Sequence, residues 1–322
     1  MTSPSPSDPS PSDPSPSGSG SPHNAAPATG SPHNGAPATG SPHNGAPATG
    51  SPHNAGPATG RVALVTGASA GIGRATANVL TSRGWTVIGA SRRGTAGAGW
   101  RGLVMDVDSD ESVREGVASA VAHRGNIDAL VLAAGWGLAG PVETTTPAEA
   151  KAQFETNFWG AVRVATEALP ALRARSGRIV LISSIGGQVG IPFQAYYSAS
   201  KFALEGWAEA LAYEVAPFGV DVTLIQPGNF RTDFTSGRRE AAAGSGPYTS
   251  AFRRAVRVME HDESNGADPV AAARVIAAQL DARRPRRRIS VGPGRDRIAL
   301  VAKRVLPHRW FEAVAKDGLG VS

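Results

Sequence analysis

From residue 61 onwards, short apolar runs alternate with amphipathic stretches of helical length. This order is typical of a parallel β-sheet covered by helices on both faces, because strands buried on both sides read as unbroken apolar runs. The predicted strands span residues 62–66, 86–91, 103–107, 127–134, 177–184, 220–226 and 289–292. We therefore expect an α/β fold with a doubly wound (Rossmann), mostly parallel sheet of seven strands.

The stretches between these strands carry signals for helix starts and stops. An acidic first turn at residues 108–111 predicts a helix that runs to about His123. Residues 146–149, Thr-Pro-Ala-Glu, have the form of a capping box with proline at the first helical position, so a long helix is predicted to begin there. A further helix starts near Tyr197 and runs to about residue 217.

The first 60 residues differ from the rest of the chain. They contain no aromatic residue, no Lys and no Arg, they hold 14 of the 25 prolines, and residues 21–60 are four ten-residue repeats. Such a segment buries too little apolar surface to offset the entropy lost on ordering, so residues 1–60 are predicted to form a disordered low-complexity tail. Residues 61–322 then suit a single domain.

Several classes of protein are disfavoured. The N-terminus lacks the basic region and apolar core of a signal peptide, and the longest apolar run, 127–140, is short and broken by glycine, so a cytoplasmic protein is expected. Without cysteine there are no disulfides or thiolate ligands, and the histidines beyond the repeats are scattered, so no metal is predicted.

The formal net charge of +6 is modest, and its densest cluster is the arginine-rich stretch 283–288. Nucleic acid or an anionic membrane could bind such a cluster. A solvated loop before the last strand explains it more simply, and no nucleic-acid partner is predicted.

A glycine-rich loop follows the first strand, with Gly67, Ser69, Gly71, Ile72 and Gly73 in Gly-x-x-x-Gly-x-Gly spacing. Glycines at a strand-to-helix turn allow a tight turn and a close approach of the backbone to a pyrophosphate, which the helix N-terminus then faces. The loop therefore predicts a dinucleotide site.

Tyr197 and Lys201 lie four residues apart in a predicted helix, so their side chains share one face. Ser184 comes at the end of an apolar, strand-like run. A cation about 4–5 Å from a phenol can lower the phenol pKa by roughly 3 units, which predicts that Lys201 makes Tyr197 usable as an acid/base near neutral pH. Taken alone, the pair also fits a tyrosine and a surface lysine without a role.

Together these motifs resemble the short-chain dehydrogenases/reductases, over residues 61–230 and more weakly to the C-terminus. The resemblance implies a catalytic tetrad of Asn157, Ser184, Tyr197 and Lys201. It also implies cofactor contacts from the glycine loop, Asn157, Tyr197, Lys201 and a further set: Asp106, Val107, Ala134, Gly135, Pro227, Gly228 and Thr232. The chain departs from the family pattern at Leu132-Ala133, where two asparagines are usual.

The resemblance implies a mechanism as well. Hydride would pass between a nicotinamide and a carbonyl carbon, Tyr197 would transfer the proton, and Ser184 would hydrogen-bond the substrate oxygen. Lys201 would lower the Tyr197 pKa and bind the ribose hydroxyls, and Asn157 would hold a water that links Lys201 to solvent.

The end of the second strand predicts the cofactor. An NAD enzyme commonly has Asp or Glu there, whereas this chain has Ser91, Arg92 and Arg93. Guanidinium groups suit a 2′-phosphate, so NADP(H) is expected over NAD(H). The alternative is two solvated arginines.

The substrate is less constrained. Residues 232–268 are expected to cover it, and Trp136, Gln188, Phe193, Gln194 and Phe230 are candidate pocket or core residues. Within the C-terminal extension, residues 293–322, the stretch 298–314 is apolar with basic interruptions and resembles the tails of family members that act on steroids, retinoids and other lipophilic alcohols. A lid or packing helix is favoured there over a membrane-surface helix.

The sequence therefore predicts an NADP(H)-dependent oxidoreductase that interconverts a lipophilic ketone and its alcohol. Family members are often dimers or tetramers, so a homo-oligomer is expected. The alternatives are a cofactor-binding sensor with little or no turnover, against which the complete tetrad argues, and an interaction protein that acts through its repeats.

Overall fold

The computed structural model describes residues 60–318, so the tail predicted over residues 1–60 lies outside the described residues except for Gly60. The described part contains a parallel sheet in the order β3-β2-β1-β4-β6-β7-β9. Its strands are β1 (Val62–Thr66), β2 (Thr86–Ser91), β3 (Arg101–Val104), β4 (Ala129–Leu132), β6 (Arg178–Ile182), β7 (Asp221–Pro227) and β9 (Arg288–Val291). The predicted seven-stranded, doubly wound α/β fold is confirmed.

The strand order reverses between β1 and β4. The chain builds outward from β1 to β3 and then returns to lay β4 on the other side of β1. In open α/β sheets, ligands bind beside the carboxyl ends of the strands at such a reversal. The topology therefore locates a crevice at the ends of β1 and β4.

Helices cover both faces of the sheet. They are α1 (Gly71–Ser82), α2 (Asp110–Arg124), α3 (Pro147–Phe154), α4 (Gly160–Ala174), α5 (Ala195–Val215), α6 (Thr249–Ser264), α7 (Pro269–Asp281), α8 (Gly294–Val305) and α9 (His308–Gly318). Val62 and Leu64 of β1 pack in the core under α2, α4 and α5, while Ala63 and Val65 pack under α1 and α7. This alternation follows from the two-residue period of a strand.

Several predicted strand boundaries were wrong, and the fifth strand, for example, ends at Ile182 instead of residue 184. The third strand ends at Val104 instead of residue 107, after which the Met105 amide donates to the Ser91 carbonyl at 3.0 Å and the chain turns towards α2. The fourth strand ends at Leu132, because the Thr66 hydroxyl accepts from the next two amides and draws residues 133–134 out of the ladder.

The predicted capping box is present at the start of α3. The Thr146 hydroxyl accepts from the Glu149 amide, and the Thr146 amide donates to the Glu149 carboxylate at 2.8 Å. The helix predicted to continue from there is interrupted by a π-helical segment, Glu155–Trp159, before α4 begins. The extra residue in that turn directs Asn157 into the protein, where it is 1% exposed.

A second, two-stranded sheet was not predicted. It pairs β5 (Leu138–Ala139) with β8 (Arg239–Glu240). Strand β8 and helix α6 belong to the segment 232–268, and α6 buries Phe252, Val256 and Met259 beside Ala139. This arrangement fixes the segment after β7 above the carboxyl ends of the strands.

Candidate active site

One cavity of about 1000 Å³ lies at the carboxyl ends of the central strands. Its wall includes these predicted site residues: Gly67, Ser69, Gly71, Ile72, Gly73, Arg92, Arg93, Asp106, Val107, Ala134, Gly135, Ser184, Tyr197, Lys201, Pro227, Gly228 and Thr232. Asn157 is not part of this wall and lies behind it. The fold therefore collects motifs that are up to 165 residues apart in sequence around one space (232 − 67 = 165).

The glycine loop needs its glycines for two reasons. Gly67 has a φ of +66°, and a Cβ there would lie 2.8 Å from the Ala133 backbone. A Cβ on Gly73 would overlap the Gly67 carbonyl group. The loop ends at Ala70, which gives α1 no side-chain cap, so the first amides of that helix face the cavity unpaired by any side chain. An uncapped helix start beside a glycine cradle fits a pyrophosphate.

At Leu132-Ala133, where the chain departs from the family pattern, the backbone is held by Thr66. Its hydroxyl, which is buried, accepts from the Ala133 amide at 3.0 Å and the Ala134 amide at 3.2 Å. Leu132 itself is 4% exposed and packs in the core. The segment is therefore braced from β1 without the usual asparagines.

Charged residues line the far end of the cavity, beyond the glycine loop. Arg92 and Arg93 are both exposed and border the cavity. Asp106 accepts from the Asp108 amide at 3.2 Å. Burial raises the pKa of Asp108, against a hydrogen bond from the Thr156 hydroxyl and the nearby Arg92 charge. This end of the cavity thus brings two arginine side chains together with the carboxylates of Asp106 and Asp108.

Tyr197 and Ser184 meet beside Gly186. A Cβ on Gly186 would lie 3.2 Å from the Tyr197 ring and 3.3 Å from Ser184 Oγ, so the glycine makes room for both. The Ser184 hydroxyl accepts from the Gly186 amide at 3.0 Å, and the Tyr197 ring packs against Phe234 at 5.6 Å between centroids. Both hydroxyl-bearing residues line the cavity.

Lys201 and Asn157 are fixed by backbone groups. Lys201 Nζ donates to the Ile182 carbonyl at 2.9 Å and lies 6.0 Å from the centre of the Tyr197 ring. The Asn157 side chain donates to the Trp136 carbonyl at 3.0 Å and accepts from the Trp136 amide at 3.0 Å. Asn157 thus holds the segment after β4, and its predicted cofactor contact stays a prediction.

The predicted electrostatics of Tyr197 were wrong for this structure. Burial raises the pKa of Tyr197 to about 12. The hydrogen bond with Ser184 and the charge of Arg238 lower this pKa, whereas the charge of Glu263 raises it. Burial also lowers the pKa of Lys201 to about 8, against the attraction of Glu205. The phenolate is disfavoured because desolvation outweighs any nearby cation, so the neutral phenol is the stable form.

The substrate end of the cavity is formed by the segment after β7 and by the C-terminal helices. Of the candidate pocket residues, Trp136, Gln194 and Phe230 line the cavity, whereas Gln188 and Phe193 do not. Phe193 packs on Phe252 at 5.5 Å, and Gln188 bonds to Glu205. The remaining wall combines apolar side chains, from Ile185, Val189, Ile191, Phe234, Val258, Met259, Ile298, Ala299, Ala302 and Phe311, with charged ones, from Asp233, Arg239, Asp262, Glu263, Arg295 and Asp296.

Sequence reasoning missed the groups that support the site. Glu205, 4% exposed, accepts from Gln226 at 3.0 Å and pairs with Arg288 at 2.7 Å, on the helix that carries Lys201. Arg238 and Glu263 form a buried ion pair whose charges reach Tyr197. No local pattern marks these residues, because their partners are 21 to 83 positions away.

The family model of the short chain dehydrogenases matches residues 61–243, more than half of the chain. The chain belongs to the short-chain dehydrogenase/reductase family. A 3-ketodihydrosphingosine reductase from Bacteroides thetaiotaomicron is 42% identical over 256 residues, which cover 78% of this chain and 95% of that protein. Retinol dehydrogenase 8 from Bos taurus is 37% identical over 192 residues, 56% of this chain and 60% of that protein.

The structural comparison agrees. The crystal structure of a short-chain dehydrogenase from Streptomyces avermitilis superposes with a TM-score of 0.71 at 32% identity, covering 82% of this chain and 99% of that one. This dehydrogenase/reductase is therefore an oxidoreductase that acts on CH–OH groups. Its fold binds a nicotinamide cofactor, which supplies or accepts the hydride when bound.

Within residues 60–318, no cluster of three or more His, Asp or Glu side chains could hold a metal ion. Over the same residues, this protein has no helix that is long and apolar enough to cross a bilayer.

Proposed function

We propose that the protein is an NADP(H)-dependent reductase of a lipophilic ketone. The observation that carries this proposal is the continuity of the cavity. Arg92 and Arg93 border one end, Tyr197 and Lys201 lie in the middle, and an apolar wall that includes Ile298 and Phe311 forms the other end. A volume of about 1000 Å³ is at the upper end for a ligand site and suits a cofactor together with a substrate.

Cofactor choice follows from charge at the end of β2. The chain has no carboxylate there to accept from ribose hydroxyls, since Ser91 is followed by two arginines. Guanidinium groups form strong paired hydrogen bonds with phosphate oxygens. The exposed Arg92 and Arg93 therefore favour the cofactor that carries a 2′-phosphate.

The substrate class follows from the apolar wall and from the relatives. Apolar side chains that include Ile191, Phe234, Val258 and Met259 contribute to the cavity wall, which favours a substrate with a hydrocarbon body. One relative is named for 3-ketodihydrosphingosine and another for retinol. A ketone on a long aliphatic body, such as 3-ketodihydrosphingosine, is our first candidate.

Each residue of the tetrad has a separate role in the reaction. Tyr197 donates a proton to the carbonyl oxygen, Ser184 hydrogen-bonds the same oxygen, and Lys201 binds ribose hydroxyls and offsets the charge left on Tyr197. Asn157 positions a water that connects Lys201 to solvent. Because burial raises the pKa of Tyr197 to about 12, the phenol carries its proton at neutral pH.

NADPH consumption across a panel of carbonyl compounds tests this function. The panel contains 3-ketodihydrosphingosine, a steroid ketone, retinal and a small aldehyde, each with NADPH and with NADH, and Tyr197→Phe is the control for background. We expect the lipophilic ketones to be reduced with NADPH. Binding of NADPH without turnover on any of them would instead indicate a cofactor-binding sensor.

We also propose that the protein is cytoplasmic and a homo-oligomer, a dimer or tetramer. The side chains of Trp159 and Tyr213 are 49% and 63% exposed, and they lie on the face of the sheet that α4 and α5 cover. Light scattering of the purified chain measures the molecular mass directly, and a monomer at micromolar concentration would contradict this part.

A further inference from the structure

Helices α8 and α9 present apolar side chains to the outside of the molecule. Ile298, Val301 and Val305 recur at helical spacing on one face of α8 and are 67%, 60% and 71% exposed. Trp310 of α9 is 70% exposed. An apolar stripe on a surface helix normally faces the core, so this orientation requires an explanation.

The opposite side of α8 holds the helix in this orientation. Asp296 is buried and accepts from the Asn229 amide at 2.8 Å, and Lys303 donates to the Gln188 carbonyl. These polar contacts, together with the half-buried Ala299 and Ala302, form the side of the helix that faces the protein. A role as a packing helix accounts for Asp296 and Lys303 but leaves the apolar stripe unexplained.

Cationic residues accompany the stripe. Residues 294–318 contain six Arg or Lys and three Asp or Glu, a net charge of +3 (6 − 3), and one of the three acids is the buried Asp296. Arg297 and Arg304 are exposed beside the stripe, and Arg309 is exposed beside Trp310. An apolar face with a tryptophan and flanking cations is the pattern of a helix that lies in an anionic lipid interface.

The same helices form the mouth of the cavity. Ile298, Ala302 and Phe311 line the space that contains Tyr197. Ile298 contributes to both the cavity wall and the exposed stripe. A lipid surface against α8 and α9 would therefore lie beside the part of the cavity wall that these helices form.

We propose that α8 and α9 form a docking surface for an anionic lipid membrane. The apolar stripe of Ile298, Val301, Val305 and Trp310 enters the interface while Arg297, Arg304 and Arg309 contact lipid phosphates. A lipophilic substrate then reaches the cavity from the membrane without crossing water. The binding surface extends beyond the reductase function and does not depend on it.

Vesicle sedimentation with the full chain tests the surface. The probes are phosphatidylcholine vesicles with and without about one third phosphatidylserine. We expect the wild type to pellet with the anionic vesicles and to be released as salt rises. The double change Val301→Glu, Val305→Glu should weaken binding by about tenfold or more, because two apolar contacts become charges that repel the surface.

A matched double variant controls for added charge. This variant is Val104→Glu, Val142→Glu, at two valines that lie away from α8 and α9 and are 66% and 60% exposed. It should bind vesicles as strongly as the wild type. Thermal melting checks that both doubles fold. Tryptophan quenching by brominated phosphatidylcholine gives a second readout, and the quenching should fall in Trp310→Phe.

Three results would overturn the proposal. The first is wild-type protein that stays in the supernatant, and the second is equal vesicle binding by the two double variants. The third is a molecular mass in light scattering that is lower for Val301→Glu, Val305→Glu than for the wild type, together with no vesicle binding by the wild type. This third result would assign the stripe to a contact between two copies of the chain. Vesicle binding without ketone reduction would leave the surface standing and reject the reductase function.

Discussion

Lys201 Nζ donates to the carbonyl oxygen of Ile182 at 2.9 Å, and this hydrogen bond ties α5 to the carboxyl end of β6. Both partners are buried, and Ser184 follows Ile182 by two residues. The bond therefore sets the separation between the residues of the helix and the serine of the strand end. It also keeps an ammonium group in a site where burial lowers its pKa to about 8.

The first prediction concerns the proton donor. Tyr197→Phe removes the hydroxyl and Lys201→Met removes the charge beside it. Each change alone should abolish most ketone reduction, and the double variant should lose little more, because the residues act as a unit. Only Lys201→Met should also weaken NADPH binding. Turnover of Tyr197→Phe within a few-fold of the wild type would reject Tyr197 as the donor.

The second prediction concerns the stability cost of Lys201. The folded state lowers its pKa to about 8 from 10.5, so the unfolded chain binds more protons between these pH values and wild-type stability rises with pH across that window. The loss of the hydrogen bond to Ile182 applies at both pH values, so the gain in stability of Lys201→Met over the wild type should be larger at pH 7 than at pH 10 by about 1–3 kcal/mol. Denaturant unfolding at pH 7 and pH 10 measures both values.

Lys151→Met, a change at an exposed lysine of α3, is the matched control and should shift stability little at either pH. A gain for Lys201→Met that is constant with pH would show that burial of the ammonium is not the cause.

The third prediction concerns Arg92. Arg92→Ala should weaken NADPH binding much more than NADH binding, since only NADPH carries the 2′-phosphate. Titration of both cofactors with the wild type and the variant gives the ratio, and Arg114→Ala, a change at an exposed arginine of α2, serves as the control. Equal losses for the two cofactors would mean that Arg92 does not recognise the phosphate.

The fourth prediction concerns Thr66, whose hydroxyl braces the segment after β4. Thr66→Val preserves shape but leaves the Ala133 and Ala134 amides without their acceptor, which should cost about 1–3 kcal/mol of folding free energy. Thr76→Val is the control, because Thr76 is equally buried and its hydroxyl only donates to the Ile72 carbonyl within α1. Equal losses for both variants in denaturant unfolding would contradict the role of Thr66.

The fifth prediction concerns the N-terminal repeats. Deletion of residues 1–59 should leave the melting temperature and turnover essentially unchanged, because a segment of this composition offers little apolar surface to pack. Differential scanning calorimetry of the full and shortened chains tests this, and a drop of several degrees in the shortened chain would contradict it.

Much of the fold could be predicted because its signals are local. The apolar runs identify the strands of the central sheet, and Thr146 with Glu149 identifies the start of α3. The glycine loop could also be identified from the sequence, since Gly67 needs a positive φ that other residues rarely adopt. These features depend on a residue and its near neighbours, which the sequence lists in order.

The remaining features depend on contacts between distant residues. Thr66 ends β4 by accepting from amides 67 and 68 positions away, and the π-helical turn at Asn157 fits a site made by Trp136. The pKa of Tyr197 was predicted to fall because its nearest cation in sequence is Lys201. It rises because the fold removes the phenol from water, and burial is a property of the whole structure.

The sequence by itself thus determined the sheet, and it predicted the glycine loop and the side chains that we propose to react. Only the tertiary structure decided where each strand stops, which protonation state Tyr197 holds and which way α8 faces. The apolar stripe of α8 reads as a packing face in sequence, yet Asp296 and Lys303 hold the helix with that stripe outward. Periodicity fixes which residues share a face, whereas the direction of that face is set by the partners that the fold brings to the other side.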